Sequence, residues 1–149
     1  MSNETITKMP IEKLTSRNLK RAYNVMHVGA NKLFKGMEIT VSQFDLLETI
    51  LLSENQALTI QDIASRTVSL QPNITRMVAE LESSGLVERT SGTDRRIVIV
   101  KLTPRGKQLV TECQKSLLDL HVSQYKSLSG EELNQLNDLL IKIAQPLSE

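Results

Sequence analysis

Gln71, Asn73, Thr75 and Arg76 stand close together in this chain, and Asp94, Arg95 and Arg96 follow consecutively further on. Amides and a guanidinium present paired donors and acceptors of the kind that match base edges, and a threonine hydroxyl serves a base or a phosphate equally well. Two adjacent arginines on a loop repel one another and bury nothing, so a purely structural role suits them poorly and an anionic groove suits them well. Asp94 beside them can pair with one guanidinium and aim it, although an exposed pair of this kind is worth only about 0–1 kcal/mol. Narrow A·T-rich minor grooves attract arginine for the same electrostatic reason. The chemistry these residues suggest is non-covalent recognition of double-stranded DNA. Bond-making chemistry finds no constellation: His27, His121 and Cys113 lie far apart, and the chain has no HExxH, CxxC, GxSxG or phosphate-cradling glycine loop. No catalytic residue, metal ligand or cofactor is therefore expected.

The elements that must position these residues lie between Thr59 and Leu102, a stretch that reads as two short helices, a turn and a hairpin. Thr59 can cap the first helix, with Asp62 completing a capping-box pattern, and Ile60, Ile63 and Ala64 give it one apolar side. Ser69 is the next cap, Pro72 suits a first helical turn, and Gly85 suits the position after the last, so a second helix is expected over Leu70–Ser84. Leu70, Ile74, Met77, Val78 and Leu81 line its buried face at spacings of three and four. At about 100° per residue its outer face carries Pro72, Thr75, Arg76, Ala79 and Ser83, with Gln71 and Asn73 flanking. A helix docked only for stability usually turns Glu and Lys outward, whereas this one leads with amides, Thr and Arg. Leu86–Thr90 and Ile97–Leu102 are strand-like runs, Ser91-Gly92-Thr93-Asp94 is turn chemistry, and Arg95 and Arg96 fall at the tip.

At these residues the chain resembles a known family. The pattern Leu-Glu-x-x-Gly-Leu-Val-x-Arg at Leu81–Arg89, Asp-Arg-Arg at Asp94–Arg96, Val-x-Leu-Thr-x-x-Gly at Val100–Gly106, Ile-Thr-Arg at Ile74–Arg76 and Thr-x-x-Gln-Phe at Thr40–Phe44 is similar to that of the MarR (multiple antibiotic resistance regulator) family. The resemblance covers nearly the whole chain. It implies a mainly α, winged helix-turn-helix fold with a small β-hairpin wing and long N- and C-terminal dimerisation helices. It also implies that Arg96 enters the minor groove with Asp94 orienting it, while Gln71, Asn73, Thr75 and Arg76 work in the major groove. A small-molecule effector is implied in a cleft between the dimer helices and the winged lobe, where Tyr23, Met26, His27, Ala30, Phe44 and Leu47 are the candidate lining.

The 149 residues suit one domain, 1–149, and the 40% hydrophobic content leaves room for a core. Aromatic residues make up only 3%, which disfavours base stacking on single strands as the main binding mode. Net charge is only +1, but its distribution is uneven. Residues 1–35 hold seven Lys/Arg against two Asp/Glu and residues 60–107 eight against five; residues 36–59 hold none against four and residues 108–149 three against six. The basic character sits on the first helix and the winged segment.

Beyond a polar start at residues 1–10, an apolar series from Ile11 to Lys35 predicts a long helix, with Arg17, Lys20, Arg21, Lys32 and Lys35 on its other side. Thr40 with Gln43 opens a helix that buries Phe44, Leu47, Ile50 and Leu51, and Ala57 and Leu58 suggest a very short strand beside the wing. Thr103 and Pro104 start a helix running to about Ser127. Ser129 with Glu132 opens a last one with Leu133, Leu136, Leu139, Leu140 and Ile143 on one face, ending at Pro146. The winged lobe, 40–103, cannot cover the apolar stripes of the terminal helices, 11–35 and 104–145, so a homodimer is expected, which would also set two recognition helices about 34–36 Å apart. Cys113, in line with Leu109 and Leu117, reads as a buried hydrophobe rather than a redox switch. With no signal-peptide core and no apolar run near about 18 residues, a cytoplasmic protein without membrane contact is expected. The function these readings favour is a transcriptional regulator, a repressor, on a pseudo-palindromic site; the alternative is a winged-helix protein-protein adaptor without DNA binding.

Overall fold

A computed structural model describes residues 9–67 and 73–145. Its elements in order are α1 (Ile11–Phe34), α2 (Val41–Leu51), β1 (Ala57–Thr59), α3 (Ile60–Arg66), α4 (Ile74–Ser83), β2 (Val87–Ser91), β3 (Val98–Leu102), α5 (Pro104–Gln124) and α6 (Gly130–Ala144). The fold is mainly α, a winged helix whose small sheet is antiparallel in the order β1-β3-β2. The expected calls on Ser69, Leu70, Gln71, Pro72 and Pro146 lie outside the described residues.

Local chemistry sets most of the helix starts. Thr40 Oγ1 accepts from the Gln43 N–H at 3.2 Å while Gln43 Oε1 accepts from the Thr40 N–H at 3.0 Å, a complete capping box on α2. Ser129 and Glu132 make the same reciprocal pair on α6, at 3.2 and 2.8 Å. Thr103 caps α5 by accepting from the Gly106 N–H at 3.0 Å, with Pro104 following in the first turn. On α3 the box is only half made: Thr59 Oγ1 accepts from the Asp62 N–H at 3.0 Å, but the Asp62 carboxylate takes the Thr59 hydroxyl, at 2.8 Å, instead of its N–H. Thr59 still belongs to β1, where it faces Ile99.

The short strand expected at Ala57–Leu58 is present, with Ala57 opposite Lys101 and Leu58 opposite Val100. The main hairpin pairs Val87 with Leu102 and Ser91 with Val98. Phe44, Leu47 and Ile50 are buried as expected, and Leu46 joins them; Leu51 is half-buried. Ile63, Val78, Leu81, Leu86 and Val100 complete a core centred on the winged lobe, joined by Val110 of α5, with the rings of Phe34 and Phe44 5.3 Å apart at its edge. Ala64, expected on the apolar side of α3, is exposed because it faces the open cleft between α3 and the wing, and Ile63 is the residue α3 buries.

The terminal helices are differently placed. α1 buries only Phe34, and α6 buries none of its 15 residues. Val25 and Val28 on α1, Leu118 and Val122 on α5, and Leu139 and Ile143 on α6 are all at least 55% exposed. α5 ends at Gln124, short of the expected Ser127. No helix among the described residues is long and apolar enough to cross a membrane.

Candidate nucleic-acid interface

The second helix of the helix-turn-helix is described from Asn73 onward, the earlier part of the expected Leu70–Ser84 span lying outside the described residues. Asn73, in a non-helical conformation, is the residue that caps α4: its Oδ1 accepts from the Arg76 N–H at 3.2 Å. Asn ranks with Ser as an N-cap, so the segment offered more than one start. Ile74, Val78 and Leu81 turn into the core, Met77 is half-buried, and Thr75, Arg76 and Ser83 face outward, as their spacing predicts. Asn73 thus spends its carbonyl oxygen on the helix end and keeps its amide N–H groups for any base contact. Arg76, exposed on the outer face, engages Glu80 one turn on, with Nε 2.9 Å from Oε1.

The far end of α4 is closed by the turn its glycine requires. Gly85 adopts φ +72°, a left-handed conformation costly for other residues. The Leu86 N–H then donates to the Leu81 carbonyl at 2.9 Å and the Gly85 N–H to that of Glu82 at 2.9 Å, with Leu81 and Leu86 both buried beneath the turn. The chain leaves this turn directly into the wing. Thr103, on the wing's return, donates its hydroxyl to the Gly85 carbonyl at 2.7 Å and its N–H to that of Leu86 at 3.1 Å. Recognition helix, wing and α5 are therefore knotted together at one short segment.

A side-chain tie reinforces the knot. Glu82 accepts from Arg89 twice, from Nε at 2.7 Å and from the backbone N–H at 3.3 Å, linking α4 to β2. The Arg89 side-chain hydrogen bond holds the Glu82 carboxyl below its ordinary value, and the same bond raises the Arg89 guanidinium. Arg105 bonds the Ser84 carbonyl and pairs with Glu38, connecting the end of α4 to the segment between α1 and α2. Sequence reading assigned no role to Glu80, Glu82 or Arg105, and only the i, i+4 spacing of Arg76 and Glu80 carried a signal. The partners of Glu82 and Arg105 meet through a tertiary turn.

At the wing tip the turn falls later than expected. β2 runs on to Ser91, the Gly92 N–H donates to the Ile97 carbonyl at 2.8 Å, and the Ile97 N–H donates to the Asp94 carbonyl at 2.9 Å. Arg95 and Arg96 are then the two central residues of the tip turn, both exposed. Asp94 does not pair with a guanidinium as expected; its Oδ1 accepts from the Arg96 N–H at 2.9 Å, an Asx turn that fixes the loop's backbone. Among the described residues neither Arg95 nor Arg96 makes an ion pair. Arg96 borders a shallow cleft between the wing and α3 that Ile60, Ala64 and Ile97 also line.

The six candidate effector residues are split among three surroundings. Phe44 and Leu47 are sealed in the core, at 1% and 0% exposure, and so are placed for packing rather than for lining a cleft. Tyr23 and His27 stand exposed on α1 with their rings stacked 5.4 Å apart. Met26 and Ala30 are half-buried beside α5, where the Tyr125 hydroxyl donates to Met26 Sδ at 3.3 Å. Cys113 is 2% exposed with its sulfur 3.6 Å from Met37 Sδ, and burial pushes its thiol above the ordinary cysteine value, with Glu112 adding to the shift. It is a core residue, as its alignment with Leu109 and Leu117 predicts.

A family model described as the MarR family matches residues 39–98, which span the helix-turn-helix and most of the wing. The HTH-type transcriptional regulator FarR of Neisseria gonorrhoeae is 33% identical over 108 residues, 72% of this chain and 73% of its own length. The transcriptional repressor MprA of Escherichia coli is 28% identical over 120 residues, 80% of this chain and 68% of its own. Among solved structures, a mutant of E. coli MarR complexed with operator DNA superposes with a TM-score of 0.76 at 29% identity, covering 87% of this chain and 93% of that one. Both relatives are named for regulating transcription, and the winged helix seen here superposes on that of the solved example. The chain belongs to the MarR family.

Proposed function

We propose that this protein is a homodimeric transcriptional repressor, acting in the cytoplasm, that grips a pseudo-palindromic stretch of double-stranded DNA. Each protomer lays α4 in the major groove, with Asn73, Thr75 and Arg76 reaching base edges or phosphates, and places Arg95 and Arg96 of the wing in the flanking minor groove. The observation that carries this reading is the wing tip: two exposed guanidinium groups sit at the centre of a turn whose backbone Asp94 fixes. MarR solved with operator DNA and the repressor MprA, both similar to this chain, point the same way.

The whole chain works as one unit in this account, 40–103 as the DNA-binding lobe and 11–35 with 104–145 as dimerisation arms. The apolar residues left exposed on α1, α5 and α6 suit an isologous interface. A small molecule seated between arms and lobes would release DNA by favouring a half-site spacing other than the operator's, since equal affinity for both states shifts nothing.

Capture of genomic fragments by the purified protein, followed by sequencing, returns the operator and tests DNA binding in one step. On that operator Arg96→Ala weakens binding by about 1–3 kcal/mol, the scale of one specific contact. The logarithm of the binding constant for the unsubstituted protein falls steeply with the logarithm of salt concentration. A flat salt titration, or unchanged affinity in the variant by fluorescence anisotropy, overturns the reading.

A further inference from the structure

The Arg76–Glu80 pair on the outer face of α4 does little for the stability of the helix, because exposed i, i+4 pairs contribute only slightly. Its consequence lies in where it holds the guanidinium. Resting on the DNA-binding reading above, we propose that Glu80 is a positioning residue that turns Arg76 into a reader of guanine rather than a phosphate clamp.

Three observations carry this. Around the helix axis, at about 100° per residue, Arg76 lies nearly opposite Ile74, Val78 and Leu81, so it is the long side chain most squarely on the outward face. Its backbone is fixed from one side by the Asn73 cap, which accepts the Arg76 N–H at 3.2 Å. Its side chain is fixed from the other by Glu80, which accepts from Nε at 2.9 Å. A guanidinium offers a forked pair of donors along more than one edge. With Nε occupied, the terminal pair, Nη1 and Nη2, remains, and that end-on fork fits O6 and N7 of guanine in the major groove.

Charge separates the two roles. A carboxylate facing a duplex is repelled by phosphates unless a cation stays with it, so Glu80 makes the outward face nearly neutral where it meets DNA. A neutral pair adds little to counterion release, which underlies sequence-independent affinity, but it can still discriminate between bases. Selectivity then resides on α4, while the salt-dependent attraction resides on Arg95, Arg96 and the other unpaired cations.

The test uses the full-length protein and the duplex most enriched from a randomised pool by the unsubstituted chain, with each guanine replaced in turn by 7-deazaguanine, which lacks the N7 acceptor. The unsubstituted protein loses roughly five- to hundredfold in affinity at one guanine per half-site. Arg76→Ala abolishes that loss. Glu80→Gln reduces it at least about threefold while tightening binding to an unselected duplex, and circular dichroism shows the same helix content in both variants. In the Arg76→Ala background Glu80→Gln has no further effect on the 7-deazaguanine penalty, the non-additivity expected of a coupled pair. If Glu80→Gln tightens binding to every duplex equally and keeps the guanine penalty, or if Arg76→Ala lowers the salt slope and keeps it, the positioning role is wrong although the protein still binds DNA. If the pool yields no enriched duplex, the DNA-binding reading itself falls and this one with it.

Discussion

Gly106 has no room for a side chain. A Cβ there would lie 2.0 Å from the Leu86 carbonyl oxygen, and that oxygen is already held by the Thr103 N–H. Gly106→Ala must push α5 away from the turn that ends α4, and overpacking of this kind costs about 1–3 kcal/mol or more. A lowered urea midpoint with an unchanged slope is the expected result; an unchanged midpoint would show that the turn yields freely. The sequence displays Gly106 only as the end of a family-like pattern, since its contact lies across the whole wing and no local spacing announces it. Cys113 was legible for the opposite reason: its neighbours Leu109 and Leu117 one turn away on either side mark its face directly.

Where elements meet, the best-defined joint is that between recognition helix and wing. The Arg89 side chain donates to Glu82 and depresses the pKa of its carboxyl, so the folded state favours the ionised form. A carboxyl lowered on folding stabilises the joint fully above its unfolded value, and that contribution is lost as pH falls through the lowered folded value. Amide exchange protection in β2 should therefore weaken on acidification to below the ordinary carboxylate range, and Glu82→Gln should remove the pH-dependent part. Persistence of the same acid dependence in the variant would assign it to another group. The helices that open on Thr40, Thr59, Thr103 and Ser129 were readable because each cap bonds within three residues of itself. Asn73 caps α4 in the same local way, through the Arg76 N–H, but in the sequence it competes with Ser69 as a cap candidate on equal terms. In the wing, Arg95 and Arg96 stand at the tip as the sequence predicts; Ser91 to Asp94 has turn composition, but strand pairing with Val98 continues through Ser91, so only the start of the turn is later.

For the molecule as a whole, the imbalance is between a sealed lobe and bare arms. The lobe buries large side chains from every one of its helices and strands, whereas α6 offers Leu139 and Ile143 to solvent at more than half exposure. The sequence showed these stripes plainly from their three-and-four spacing, yet one chain carries no information about what covers them. If a second copy does, light scattering at micromolar concentration gives twice the 16.7 kDa chain mass, and Leu139→Lys with Ile143→Lys shifts it to the single-chain value. A monomer before substitution would leave the arms to a different partner.

The capping box at Ser129 starts α6 well but supplies no tertiary packing, and an isolated helix of its 15 residues is marginal in water. If a second copy covers it, its persistence obeys mass action, so that ellipticity falls on dilution and the melting temperature climbs with protein concentration. A cell holding few copies would keep this arm frayed, and gene dosage would act on shape before it acted on occupancy.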